Sequence, residues 1–352
     1  MRAYSVPLDR ELPARASGGR WLLRRALLAY PLVVLVLSLV TIMEPQRAGW
    51  LAVVQIIGPL VFLPLLLLAP ALPVHGMGGL RVIMLLCLGV FVLRYVPPLN
   101  FMARQPDAAA PQVSVLTWNV YVGNSRYDEV NRALAAKPAD VVFLQEADSE
   151  KIDVDALATT YPYRLVEPDG APPGMVLLSD YPVLAQGILD GNRDLWDIPR
   201  LMWVRLDLGH GRTVTVVGAH PMSAYTVGEG CALPICYSPA WRDKQIESMR
   251  DDFISPMVDS GDALIVAGDF NITEREAAYA DLSRGLTDAW KAVGMGFGTT
   301  WRPSFMMGQQ LGLLRIDYLF AGPGVTPLSM SVDCTPRGSD HCPVLGRFEL
   351  GK

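Results

Sequence analysis

The chain has 352 residues, of which 51% are hydrophobic and 18% charged, with a formal net charge of −5. That charge is divided: residues 1–100 hold nine Arg, no Lys and three acidic residues, a formal +6, which leaves −11 on the remainder. An acidic remainder disfavours a long polyanion as partner, because nucleic-acid affinity comes mainly from Lys and Arg at phosphates.

Residues 1–25 form a basic N-terminus, followed within 26–96 by three apolar stretches, 26–43, 50–73 and 80–96. Each approaches the ~20 residues that a helix needs to cross a bilayer. The first two hold no charged residue, and the third has Arg81 and Arg94 near its ends, where long side chains can reach the headgroups. The expectation is a bundle of about three transmembrane helices. A cleaved signal peptide fits poorly, since no small-residue cleavage site follows Met43 and the apolar runs continue. Six Arg precede the first stretch, whereas residues 44–49 hold only Arg47, so positive flanks place the N-terminus in the cytoplasm. Three crossings would then put everything after residue 96 outside it, and two would leave it in the cytosol. A multi-pass protein of the cell membrane with an extracytoplasmic domain is the expected arrangement.

Cys87 lies in the third apolar stretch, and Cys231, Cys236, Cys334 and Cys342 form an even set beyond it. Cys231 and Cys236 share a Pro-containing loop that suits a disulfide in an oxidising compartment. Four unpaired thiols fit the spacing equally well. Residues 97–111, with four Pro and a run of Ala, read as a linker.

From 112 to 352 short β-rich apolar runs alternate with amphipathic ones, the rhythm of an α/β domain. Strands are predicted at 113–118, 141–144, 175–178, 201–206, 213–218, 264–267, 315–320 and 344–350. Helices are predicted at 127–136, 154–159, 240–258 and 274–282. Polar residues cluster at the strand ends. Asn119 closes LTWN, Gln145 and Glu146 end VVFLQE, and His220 ends VTVVGAH. Asp269 and Asn271 follow LIVAG, Asp317 sits inside LLRIDYLF, and Asp340 and His341 stand in RGSDHCPV before the last strand. Strand ends are where α/β folds place their chemistry, so these residues are expected to share one acidic pocket.

With those pieces in order, GDFN, RIDY and GSDHCPV above all, residues 113–350 resemble the endonuclease/exonuclease/phosphatase superfamily. GMVLLSDYPV is similar to that family's central strand pair, and TTW stands where the family often has a comparable run. The resemblance implies a four-layer α/β/β/α sandwich and Mg²⁺-dependent phosphoester hydrolysis, with Mn²⁺ as a substitute metal. Independently of kinship, a hard cation takes oxygen ligands and keeps several waters, which makes Glu146 the first choice of ligand, supported by the carbonyl oxygen of Asn119 and by Asp340. By resemblance, Asp269 orients or deprotonates the attacking water and Asn271 holds it or a phosphate oxygen. His341 contacts the phosphate, with Asp317 fixing its tautomer and raising its pKa, and His220 is a second phosphate contact. Arg242 and Gln245 are candidates for supporting this loop, although a solvated helix face explains them equally well. His210, in a hairpin turn, has no role.

Two features depart from the pattern. The segment 221–238, with Gly228, Glu229 and Gly230, is longer than a minimal turn, and the chain lacks the dense Lys and Arg insertions of a duplex-cutting enzyme. A lipid headgroup or small phosphoester therefore suits the chain as substrate better than extracellular DNA or RNA. The rival readings are a catalytically silent binding module at the lipid bilayer and a transporter with an appendage. Three spans without an intramembrane ionisable pair argue against the latter.

Overall fold

The computed structural model describes residues 17–73, 78–97, 99–100, 107, 110–167, 174–189, 201–224 and 237–351. Cys231, Cys236 and Gly228 to Gly230 lie outside the described residues. The chain divides into two compact units, one of 1–44 and 58–95, the other of 45–57 and 96–352.

The first unit contains α1 (Ser17–Met43), which carries Pro31 within it. The expected second span, 50–73, is not one helix. Its first part, α2 (Gly49–Ile56), folds with the second unit. After a sharp bend the chain continues in the first unit as α3 (Gly58–Val61) and a 3-10 stretch, Leu63–Ala71. Pro59, Pro64 and Pro70 explain the break, because each lacks an amide hydrogen and crowds the preceding turn. The last helix, α4 (Gly78–Tyr95), is the one helix among the described residues with both the length and the hydropathy of a membrane span, so the three-helix expectation is not met helix by helix. Leu27–Met43 is apolar but shorter.

The second unit holds β1 (Gln112–Asn119), α5 (Tyr127–Ala135), β2 (Val141–Ala147), β3 (Tyr163–Val166), β4 (Gly174–Ser179), β5 (Val183–Leu189), β6 (Leu201–Asp207) and β7 (Thr213–Ala219). It continues through α6 (Ala240–Ser248), a π-helical turn, Met249–Ile254, and α7 (Ser255–Ser260) to β8 (Leu264–Asp269) and α8 (Ala277–Leu282). Then follow β9 (Thr287–Asp288), α9 (Ala289–Val293), β10 (Asp317–Ala321), β11 (Val325–Val332) and β12 (Val344–Leu350). Six strands pair in the order β11-β12-β1-β2-β4-β3 and six in the order β5-β6-β7-β8-β10-β9.

Strand alternation makes the layers. Val113, Val115, Val141 and Phe143 of one sheet meet Val214, Val216, Ile265 and Leu319 of the other in a fully buried seam. The intervening residues face outward. Leu116, Trp118, Val142 and Leu144 pack under Val130 and Leu134 of α5, while Val217, Val266 and Phe320 pack under Ile246 of α6, Tyr279 and Leu282. The result is the expected α/β/β/α sandwich.

Sequence periodicity misses β3, β5, β9 and β11. All four are sheet edges, and β9 has only two residues; β11 also carries Pro327 and a register shift beside it, as edge strands tolerate. The predicted 154–159 helix is a 3-10 turn, Ala156–Thr159. The predicted strand pair in GMVLLSDYPV divides instead, with β4 in one sheet and β5 on the edge of the other.

One glycine is obligatory. Gly268 has φ +150, and a Cβ there would stand 2.0 Å from the Ala219 carbonyl oxygen. Gly268→Ala is expected to cost about 3 kcal/mol or more through backbone overpacking, read as a lower urea midpoint of the full chain; an unchanged midpoint would refute the close approach of β7 and β8.

Candidate active site

The alternation that builds the seam also supplies the site. Asn119 has the parity of Val113 and Val115, Asp269 that of Ile265 and Ala267, Asp317 that of Leu319, and His220 that of Val214 and Val216. At the strand ends the inward positions turn from apolar to polar, so these four side chains enter the gap between the sheets. Antiparallel register sets Asp317 directly opposite Asp269, and parallel register sets Ala219 beside Gly268. Asp317 begins β10 rather than lying inside a strand.

Glu146 breaks the alternation. Simple parity points Gln145 inward, and Gln145 is indeed fully buried, donating to Thr117 Oγ1 at 2.9 Å. Glu146 would then face away, but the β2–β4 register shifts between Leu144 and Ala147, and Glu146 adopts φ +51. That bulge turns its carboxylate back to the site, where Asn119 Nδ2 and the Val122 amide donate to it, both at 3.0 Å.

Asp269 is the centre. It is 1% exposed. Its Oδ2 accepts from Asn119 Nδ2 at 3.0 Å and lies 3.7 Å from both His220 Nε2 and His341 Nε2. Its Oδ1 accepts from the Asn271 amide at 2.9 Å. Burial, joined by the charge of Asp317, pushes its carboxyl up to about 7 against the pull of His341. His341 Nδ1 meets Asp317 Oδ2 at 2.9 Å. Burial alone would lower His341, but Asp317 and Asp269 overcome it and push the imidazole up to about 10. The expected His341–Asp317 pair is therefore present, with Nε2 directed toward Asp269.

His220 Nε2 is also 3.8 Å from Glu146 Oε1. Burial opposes ionisation of Glu146, yet the charge of His220 and the bonds from Asn119 and Val122 hold its carboxyl below the usual range. Asp340 is pushed up by burial and by the charge of Glu146, which puts two mutually repelling carboxylates at the oxygen-rich side of the site. Asp340 Oδ2 accepts from Trp301 Nε1 at 3.3 Å, while its Oδ1 is buried without a hydrogen-bond partner. An orphaned carboxylate oxygen beside a second acid is what a hard divalent cation would satisfy. Glu146 and Asp340 thus fit the expected metal set.

Asn119 lies between the Glu146 and Asp269 carboxylates. Its Oδ1 accepts from the Tyr121 amide at 2.9 Å and its amide bridges Glu146 and Asp269, so here it spaces two carboxylates as a donor. Asp269, Asp317 and His341 also bring ligand atoms within 4.8 Å of one another; His341 Nδ1 is bonded to Asp317, and its Nε2 faces Asp269 at ion-pair distance. Asn271 sits at φ +53 and gives its Nδ2 to Pro221 O at 3.0 Å. Gln245 Oε1 accepts from Met222 N at 2.7 Å, and Arg242 Nη1 donates to Asn271 O at 2.7 Å. Both support the loops around His220 and Asn271. His210 lies in the β6–β7 turn at φ +54, away from these residues in its strand register.

Sequence reasoning missed the residues that hold the Asp340–His341 loop. Ser339 Oγ donates to Asn119 O at 2.7 Å and accepts from His341 N at 2.9 Å. Arg302, 1% exposed, donates to Cys334 O and Ser339 O. A disulfide joins Cys334 to Cys342, the residue after His341. Position beside a site residue was the only available signal for Ser339 and Cys342; for Arg302 there was none.

The model of the Endonuclease/Exonuclease/phosphatase family matches residues 116–341. Among solved structures, an endonuclease/exonuclease/phosphatase family protein from Bacteroides thetaiotaomicron is similar at 15% identity and TM-score 0.55, covering 70% of this chain and 99% of that one. A mannosyl-6-phosphatase of the same organism is similar at 16% identity and TM-score 0.53, covering 67% and 99%. A humanized TDP2 of D. rerio carrying 14 mutations is similar at 22% identity and TM-score 0.52, covering 68% and 99%. At such identities the likeness speaks for the fold. No curated protein sequence matches the chain.

In metal-free protein, NMR titration of His341 should show an imidazolium that persists to about pH 10. Because this value lies above that of an unfolded histidine, ~6.5, the pair's contribution to stability is complete below ~6.5 and is lost as pH rises through the folded value. Asp317→Asn should bring the titration down sharply. An unchanged titration would remove the ion pair.

Proposed function

From the premise that the chain belongs to the endonuclease/exonuclease/phosphatase family, and is a metal-dependent phosphoric ester hydrolase, we propose that it is a membrane-anchored Mg²⁺ enzyme acting on a lipid headgroup or small phosphoester. The observation that carries the reading is the buried Asp269 carboxylate held between His220 and His341, each at 3.7 Å, with Glu146 tied to it through Asn119.

In this reading Glu146 and Asp340 hold the cation. When bound, the cation supplies charge neutralisation at a phosphoryl oxygen and a lowered barrier to attack by water. Asp269 orients that water and, with a value near neutrality, accepts its proton. His341, kept as imidazolium by Asp317, donates to a phosphoryl oxygen whose charge grows in the transition state. His220 makes a second such contact. The loop Asn271 lines the same space and is fixed by Pro221 and Arg242.

The −11 formal charge after residue 100 supports a small or lipid phosphoester over a nucleic acid. A structural neighbour that is itself a mannosyl-6-phosphatase agrees with a small phosphomonoester. Anchoring is supported by α4 and by the apolar half of α1. Chain continuity supports one side of the membrane over the other. Residues 45–57 and 96–352 fold as one compact unit, and its loops and open sheet edges would leave backbone groups unsatisfied in hydrocarbon, which keeps it on one side of a bilayer. In this reading residues 58–95 cross an even number of times, the broken apolar run inward and α4 back outward. With α1 crossing once, a basic N-terminus kept inside by its Arg residues favours a catalytic unit outside, a compartment that suits the Cys334–Cys342 disulfide.

With a bis-aryl phosphate, a phospholipid mixture and plasmid DNA as substrates, hydrolysis should require Mg²⁺, cease with EDTA and fall by ~10³-fold or more in Asp269→Ala. Activity that survives the substitution would remove this mechanism, and preference for plasmid would favour a nuclease. For topology, a cysteine placed at the exposed Leu184 should react with a membrane-impermeant maleimide in intact cells. Protection until the cells are lysed would place the domain in the cytosol.

A further inference from the structure

The short link after α1 is part of the catalytic unit, since residues 45–57 fold with 96–352. We propose that this link is a strap that holds the loop 271–276, and through it Asn271, in working position; the proposal rests on the phosphoesterase reading above.

The strap is made by one polar residue in an apolar helix. Gln55, within GWLAVVQI, is 1% exposed. Its Oε1 accepts from Gln46 N at 3.1 Å, closing the link on itself, and its Nε2 donates to Arg275 O. Arg275 answers by giving Nε to Ile56 O at 3.0 Å, with Nη1 braced on Glu274 at 2.8 Å. At the other end of α2, Gly49 N donates to Tyr237 O at 3.0 Å. The exposed Arg47, 3.9 Å from Asp243 and 3.8 Å from Asp281, adds little.

Of the two attachment points, Tyr237 belongs to a buried network and Arg275 lies in the loop that this network holds. The Tyr237 hydroxyl donates to Glu276 Oε2 and accepts from Arg242 Nη1 at 2.7 Å. Arg242, 1% exposed, also reaches Glu276 Oε2 at 2.9 Å and Asn271 O at 2.7 Å. Glu276 Oε1 accepts from Thr273 N at 2.6 Å. Asn271, at φ +53, is in a conformation that persists only where its surroundings over-determine it, and its amide is the donor to Asp269 Oδ1. The strap bonds to the network at Tyr237 and at Arg275, four residues beyond Asn271. Removing the Gln55 amide takes the partner from the half-buried Arg275 carbonyl and Gln46 amide and frees the loop. Gln55 is thus a positioning residue, acting through the Arg275 backbone on the loop whose Asn271 amide touches the catalytic carboxylate.

The full chain in detergent micelles, assayed with a bis-aryl phosphate and Mg²⁺, tests this. Gln55→Ala should lower kcat about tenfold while KM and the Mg²⁺ half-saturation stay within about twofold. The isosteric Gln55→Glu, which keeps the volume and the bond to Gln46 but loses the donor, should do the same. Arg275→Ala combined with Gln55→Ala should add little, because both remove one contact. Wild-type kcat in either Gln55 variant, or a loss that appears only in KM, overturns the strap. Should Gln55→Ala not fold, Gln55→Glu decides. If the wild-type chain hydrolyses nothing, the phosphoesterase reading fails, and amide hydrogen exchange over 271–276 still judges the strap: faster exchange in the Gln55 variant supports it, and unchanged exchange overturns it.

Discussion

A carboxylate with almost no access to solvent, held between two imidazoles in the gap between two sheets, is the constraint on which the rest of this structure depends. Burial drives Asp269 toward its neutral form, and only nearby positive charge and donors can keep it useful as a base. His341 supplies that charge because Asp317, opposite Asp269 in the β8–β10 ladder, keeps it protonated. Each member of the set is expensive to bury alone and is stabilised by the others. The sandwich is what makes that mutual arrangement possible, since it brings strands from both sheets to a common end.

Groups outside the reaction do comparable work. Ser339 ties the β1 end to the loop before β12, and Arg302 collects the carbonyls of that loop. The Cys334–Cys342 disulfide closes its base. On the opposite side, Arg242 and Glu276 hold the turn after Asp269. Loops that carry Asn271 and His341 are thereby given few alternative conformations, which is what precise orientation of a water and a phosphoryl group requires. The apolar helix α2 takes part on this side through Gln55 and Ile56, so an element that reads by composition as membrane span is shared with the catalytic unit.

The legibility of the site followed the parity of the strands. Asn119, His220, Asp269 and Asp317 each continue an inward-facing apolar series, and an observer of the sequence could extend that series by two residues. Glu146 was legible by residue type but not by parity, because a bulge and a left-handed backbone turn it inward. The same holds for the fold. Central strands, with continuous Val, Ile and Leu, were visible, whereas β3, β5 and β11 sit at edges, where burial on one face dilutes the pattern. Residues 50–73 failed for a different reason: composition registers apolar surface, but Pro59, Pro64 and Pro70 decide whether one helix can contain it.

By itself the sequence determined the alternation of apolar runs that makes two packed sheets, the basic N-terminus and apolar stretches before them, and the identity of the acids, amides and imidazoles at the strand ends. These are local properties, carried by periodicity and residue type. Tertiary structure alone decided that Asn119 acts as a spacer between carboxylates, that Glu146 faces the site, that Cys334 pairs with Cys342, and that Gln55 bonds to Arg275 some 220 positions away. Each depends on strand register and loop closure between distant segments, and a buried hydrogen bond takes its partner from whatever the packing brings within about 3 Å.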